Sequence, residues 1–254
     1  MALICGAVIV WPVYKEGVIE RNAANVCRVR AKQGDAGAQS SLGNMYYHGR
    51  GVSQDYAEAV RWFRKAAEQG YAKAQYSLGV SYAQGRGVQQ DSAEAVRWYR
   101  KAADQGYAMA QYGLGYMYAQ GQGAPQDYSK AIYWCRKAAE QGYAKAQSDL
   151  GLSYAQGQGV PQDSSEAALW CRKAADQGDA TAQYSLGLMY SQGKGVAQDY
   201  VQAHVWMSLA ASRASGDLRR HCAEGLSFVA TKMTTDQIAE AKRLASAWNH
   251  SGQP

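Results

Sequence analysis

GYAKAQYSLGVSYAQGRGVQQDSAEAVRWYRKAADQ, residues Gly70 to Gln105, is the stretch whose reading decides the fold. Gly34, Gly70, Gly106, Gly142 and Gly178 each open a copy of it. Successive openers lie 36 positions apart, and the five copies run without insertion or deletion to Arg213. A fixed period of roughly 20 to 50 residues marks a stacked repeat array, in which each unit buries its apolar faces only against its neighbours.

Each copy has two halves. In the first, Ala74, Leu78 and Tyr82 fall at helical spacing and predict one apolar stripe. Gly79 interrupts this helix at a cost in stability. It recurs as Gly43, Gly115, Gly151 and Gly187, which points to the close approach of a bulky neighbour. The second half starts at Asp91 with Glu94 three residues on, an Asp form of the capping box, repeated as Asp55/Glu58 and Asp163/Glu166. Lys130 and Gln202 take the Glu place in the other copies, so the cap there rests on Asp127 and Asp199. Ala95, Trp98, Tyr99, Ala102 and Ala103 form the buried stripe of a second helix, which Gly106 ends in the left-handed region. Gly85-Arg86-Gly87-Val88 is the tight loop between the halves.

The string A-x-A-Q-x-x-L-G-x-x-Y-x-x-G-x-G-V-x-Q-D, followed by A-x-x-W-x-x-K-A-A-x-Q-G, resembles the Sel-one-like repeat (SLR), a bacterial relative of the tetratricopeptide repeat. The resemblance covers all five copies. It implies an all-α, right-handed α-solenoid, a tetratricopeptide-like superhelix with first helices on the concave face and second helices outside. It also implies a non-catalytic scaffold that binds a protein or peptide partner, in a family whose bacterial members include envelope, secreted and signalling proteins. On that geometry the concave face is lined by first-helix positions that vary between copies: Ser40, Asn44 and His48; Lys73, Tyr76 and Val80; Met109, Tyr112 and Tyr116; Lys145, Ser148 and Leu152; Thr181, Tyr184 and Leu188. The partner-binding set is Asn44, Lys73, Tyr76, Val80, Met109, Tyr112, Tyr116, Lys145, Leu152, Tyr184 and Leu188. Two readings of Tyr76, Tyr112 and Tyr184 stand: they line a groove, or they pack between repeats.

The flanks follow the same register. Residues 1–16 open with the apolar, uncharged MALICGAVIVWP, shorter than the about 20 residues that cross a bilayer. They read as the remnant of a signal or anchor, or as a flap on the first helices. Residues 17–33 read as a second helix without its first: Ala23, Cys27, Ala31 and Gln33 lie one period before Ala59, Phe63, Ala67 and Gln69. Residues 34–213 are the five repeats. Residues 214–254 carry a degenerate sixth copy (Leu218, Cys222, Leu226), then a T-x-x-Q capping box at Thr234–Gln237 and a final amphipathic helix through Ile238, Ala241, Leu244, Ala245 and Trp248.

No chemistry-bearing motif accompanies the repeats. The four histidines, His48, His204, His221 and His250, are far apart and give no zinc spacing. Gly85-x-Gly87 follows a helix and lacks the lysine of a phosphate loop. No catalytic residue, metal or cofactor is expected. No full copy holds two cysteines, which departs from the SLR subgroup with a disulfide in every repeat and removes support for its β-lactam-directed hydrolase activity, the enzymatic alternative. Cys135 and Cys171 sit in adjacent copies, where helix axes lie about 8–10 Å apart and a disulfide needs Cα atoms within about 7 Å. Both therefore read as small buried hydrophobes. The net charge of +6 comes largely from Arg61/Arg64/Lys65 and their counterparts on the second helices. This reads either as a solvated outer face or as a basic ladder for an anionic membrane surface. Nucleic acid is not expected as a partner. The N-terminal segment gives a slight preference for a periplasmic or envelope location over the cytoplasm.

Overall fold

The computed structural model describes residues 23–251. The segment 1–16, residues 17–22 of the half-repeat and residues 252–254 lie outside the described residues. The chain divides into two compact units, the first ending at Gln126 and the second starting at Asp127. Among the described residues all regular structure is α-helical, and each unit stacks helical hairpins in tandem, as the solenoid class requires.

Unit one holds α1 (helical over 23–32), α2 (Ala36–His48), α3 (Tyr56–Glu68), α4 (Ala72–Gln84), α5 (Ser92–Asp104) and α6 (Ala108–Gln120). Unit two holds α7 (Tyr128–Glu140), α8 (Ala144–Gln156), α9 (Ser164–Asp176), α10 (Ala180–Gln192), α11 (Tyr200–Arg213), α12 (Gly216–Ala230) and α13 (Thr235–Ser251). The central leucine of each first helix, Leu42, Leu78, Leu114, Leu150 and Leu186, is fully buried. The in-helix glycine has the reason expected of it. A Cβ on Gly43 would stand 2.6 Å from the Phe63 ring, one on Gly79 2.7 Å from Tyr99, one on Gly151 2.6 Å from Cys171 Sγ, and one on Gly187 2.7 Å from Met207. The glycine column and the Phe/Tyr/Cys/Met column are thus two sides of one contact that brings the helices of a hairpin together.

Capping differs in one respect from the expectation. Asp91 Oδ1 accepts from the N–H of Ala93 and Glu94, and Asp55, Asp127, Asp163 and Asp199 cap in the same way. The glutamates do not reach back. Glu58 and Glu94 pair forward with Arg61 and Arg97, and Glu166 accepts from Trp170 Nε1 at 3.0 Å. The backbone N–H groups of Asp55, Asp91 and Asp163, which a returning glutamate would need, already donate to the carbonyls of Tyr46, Tyr82 and Tyr154 at 2.9–3.0 Å. Among the described residues the box is reciprocal only at Thr234–Gln237, at 2.9 and 3.2 Å.

A buried glutamine ladder joins successive copies, a feature the spacing alone does not reveal. Gln75 Nε2 donates to the carbonyl of Ala67 in the preceding helix at 3.1 Å, and Gln75 Oε1 accepts from Gln105 Nε2 at 2.7 Å. Gln39 and Gln147 repeat the arrangement. In the fifth copy Arg213 stands where the donor glutamine should be. Its guanidinium lies 5.0 Å over the Trp248 ring instead, and Gln183 Oε1 is left buried without a partner.

The basic ladder on the second helices is largely engaged within the fold. Arg64 donates to the Tyr82 hydroxyl of the next copy, as Arg136 does to Tyr154 and Arg172 to Tyr190, and Arg100 pairs with Tyr118. The ammonium groups of Lys65, Lys101 and Lys173 lie 4.2–4.5 Å from the ring centres of Trp62, Trp98 and Trp170. These cations hold neighbouring side chains in place, which favours the solvated-face reading of the outer charge.

The ends depart from the repeat. Ala24 and Ala31 are buried and Cys27 half-buried, but Ala23 is exposed although its counterpart Ala59 is fully buried. Gly43 lies against Ala59, whereas the residue one period before Gly43, Ala7, lies outside the described residues. At the other end α12 keeps the first-helix stripe, with Cys222 buried and Leu218 and Leu226 half-buried. The helix after it does not close a hairpin. α13 lies along α11 and barely touches α12. Ala241, Ala245 and Trp248 join the core of α9–α11, and Trp248 meets Trp206 edge-to-face at 6.1 Å. On the same side, burial first and then Lys242 of α13 lower the pKa of the buried His204. Ala223, which occupies the glycine column, is consequently exposed.

Cys27, Cys135, Cys171 and Cys222 are free thiols; Cys135 and Cys171 are buried as their column predicts, Cys27 in the same column is only half-buried, and Cys5 lies outside the described residues. Burial pushes the Cys135 and Cys171 thiols up to about 12. At neutral pH that holds both as buried thiols, the less nucleophilic form. A colorimetric thiol reagent at pH 7.5 is expected to leave Cys135 and Cys171 unmodified in the folded protein and to titrate them in denaturant. Rapid native modification of either, located by mass spectrometry, would contradict this burial.

Candidate functional site

The varying first-helix positions separate once their surroundings are known. In unit one, Asn44, Tyr76 and Val80 line one hollow of about 160 Å³ together with Tyr47, His48, Phe63 and Ser77. A second hollow of about 420 Å³ shares Asn44 and His48 and adds Lys73, Arg50, Ser41, Met45 and Ala23. Of the unit-one candidates, Asn44, Lys73, Tyr76 and Val80 thus come together between α2 and α4. Met109 and Tyr116, 42% and 50% exposed, stand on α6 with the half-buried Tyr112.

Tyr76 combines both roles considered for it. Its ring packs 5.7 Å from Tyr99 in its own copy and 5.4 Å from Tyr107 at the head of the next, while its flank faces the hollow. The same column reads differently elsewhere. Ser40 and Ser148 are buried, and Ser148 Oγ donates to Asp179 Oδ1, at the head of the following first helix, at 3.1 Å. A tyrosine there packs on a tyrosine, and a serine bonds an aspartate, so the column records fit between copies as well as surface.

In unit two the candidates spread. Lys145 and Thr181 are exposed and Leu152 is half-buried. Tyr184 and Leu188 pack under the last copy, in a cluster with Met207, Val229 and Leu226, and Tyr184 stacks on His221 at 6.4 Å. Burial above all, then Cys222 and Glu224, raises the Tyr184 pKa. These two side chains belong to packing between copies.

Tyr47 and Phe63 line the hollow and were absent from the sequence-based set. Phe63 sits in a column that reads as core. Tyr47 carried a usable signal: the four later copies have Ala83, Ala119, Ala155 and Ser191 in its place. Its ring lies 5.0 Å from Tyr56 and 6.3 Å from Phe63, and its hydroxyl accepts from Arg86 at 2.9 Å and donates to Gln84 Oε1 at 3.0 Å. That bond raises the Arg86 pKa and fixes the wall of the hollow.

Among the described residues no group of three or more His, Cys, Asp or Glu could hold a metal ion, and no helix is long and apolar enough to cross a membrane. What unit one offers is an aromatic hollow beside a basic one, suited to side chains of another molecule.

The family model described as Sel1 repeat matches residues 36–71, 72–107, 108–143, 144–179 and 180–215. A Sel1 repeat protein from Oxalobacter formigenes is similar over 84% of this chain and 87% of its own, with 37% identity and a TM-score of 0.72. A Sel1 repeat protein from Klebsiella pneumoniae subsp. pneumoniae is similar over 82% of this chain and 99% of its own, with 26% identity and a TM-score of 0.51. An immunity protein from Pseudomonas aeruginosa shares the fold, at 18% identity over 84% of each chain and a TM-score of 0.51. A comparison with curated proteins finds no match. Five consecutive matches, together with the helical hairpins of each unit, settle the family: the chain belongs to the Sel1 repeat proteins, generally non-catalytic scaffolds that bind other proteins.

Proposed function

We propose that this protein is a non-catalytic interaction scaffold that holds a segment of a partner protein on the first-helix face of unit one. The observation that carries the reading is the meeting of Asn44, Tyr76 and Val80 around one hollow walled by aromatic rings. Aromatic walls supply contact area at little entropic cost, as interface anchors do. Met109, Tyr112 and Tyr116 extend the surface along α6.

A peptide selected from a random-sequence library on the full chain tests the reading. Val80→Glu places a charge in the hollow and is expected to lower its affinity at least about tenfold, the scale of a single interface anchor. Tyr133→Ala removes an exposed aromatic from α7 and is expected to leave it unchanged. Unaltered binding by Val80→Glu, with its melting temperature preserved, would move the site elsewhere.

A further inference from the structure

We infer that unit one reads a partner segment in which a carboxylate stands beside an aromatic or large aliphatic side chain. The inference rests on the first-helix face being the binding surface and assigns that surface its chemistry.

Three observations converge. The first hollow is about 160 Å³ and walled by Tyr47, Phe63, Tyr76 and Val80. That is below the about 300–1,000 Å³ of pockets for whole small ligands, and suits one apolar side chain. The second hollow, next to it, is lined by Arg50, Lys73 and His48 with no acidic residue among its described walls. Arg50 and Lys73 are exposed and, among the described residues, neither forms an ion pair. The second-helix cations, by contrast, are committed to tyrosine hydroxyls, tryptophan faces and glutamates. Positive charge left unanswered beside an apolar hollow calls for a negative group, and charge-assisted bonds from Arg and Lys to a carboxylate are the strong kind.

Adjacency fixes the spacing. The two hollows share Asn44 and His48, so the apolar side chain and the carboxylate belong to neighbouring residues of one extended segment, about 3.3–3.6 Å per residue. Asn44 stands at the boundary. One of its amide N–H groups donates to the Ser40 carbonyl at 3.0 Å, leaving its carbonyl oxygen and second N–H for the backbone of that segment.

A random-peptide phage library panned on the full chain, followed by fluorescence titration of the enriched peptides, provides the test. The expected consensus sets Asp, Glu or a C-terminal carboxylate within two residues of an aromatic or large aliphatic residue. Arg50→Glu/Lys73→Glu, confined to exposed positions, is expected to weaken such peptides at least tenfold, and rising salt to weaken them in the wild type. Val80→Ala, milder than Val80→Glu, is expected to weaken them with folding retained. Peptides that lose affinity with Val80→Ala or Val80→Glu but keep it within threefold in the charge-reversed variant would overturn the carboxylate assignment and leave the groove standing. Peptides indifferent to the Val80 variants as well would overturn both. Phosphatidylglycerol vesicles and a DNA duplex run in parallel. Binding of either that vanishes with Arg50→Glu/Lys73→Glu, in place of peptide binding, would assign the basic hollow to a different anion and overturn the proposal.

Discussion

Gly87→Ala is expected to destabilise unit one by more than about 4 kcal/mol, in the exceptional class for a single substitution. Gly87 has φ +74°, which costs an L-residue about 1–2 kcal/mol. The larger part is space. A Cβ there would stand 2.1 Å from the Tyr56 carbonyl oxygen and 2.4 Å from its carbon, backbone atoms at the head of α3. The loop of one copy rests directly on the second helix of the copy before, so nothing yields without parting the stack. Gly123 on Ser92 at 2.0 Å and Gly195 on Ser164 at 1.9 Å repeat the contact. Gly70→Ala is the control. Its φ of +87° carries the same kind of strain, but no atom lies within 4 Å of the added carbon, so the expected loss is only about 1–2 kcal/mol. Denaturant melts of the two variants separate strain from close approach. Equal losses would show that the loop does not bear on the preceding helix.

Trp206→Ala is the second large effect. Trp206 is 1% exposed, lies edge-to-face with Trp248 and has the Arg172 guanidinium 4.9 Å from its ring centre. Truncating such a side chain costs about 3–5 kcal/mol. The two tryptophans share one contact, so Trp248→Ala should remove part of the same energy, and the double variant should lose less than the sum of the singles. Hydrogen exchange in either single variant is expected to rise over α13 and α11 together. Additive losses with α13 still protected would place α13 elsewhere than along α11.

The array itself was legible because repetition makes the pattern its own check. The Leu78 column, the Gly79 column with its bulky partner, the aspartate caps and the Thr234–Gln237 box could each be read from spacing. Three features could not, because each depends on which of two partners wins. Glu94 turns to Arg97 rather than back to the helix head. The recurring Gln75 is polar by letter yet 4% exposed, satisfied across two copies at once. α13 follows an ordinary amphipathic pattern, and the pattern does not say that Trp248 prefers Trp206 to the face of α12. The proposed binding surface was legible only in part. Variation between copies found Asn44, Lys73, Tyr76 and Val80, but it also collected Ser40 and Ser148, which are buried, and Tyr184 and Leu188, which pack under the last copy. Variation marks both surface and fit between neighbours, and only the neighbours distinguish them.

The central claim is that the recurring residues carry the fold while the non-recurring ones on α2 and α4 carry recognition. Amide hydrogen exchange of the full chain, with and without a saturating selected peptide, tests it most directly. The account predicts added protection concentrated in Ala36–His48 and Ala72–Gln84, with the outer helices Tyr56–Glu68 and Ser92–Asp104 and the second unit little changed. Protection centred on those outer helices, or confined to the second unit, would contradict it.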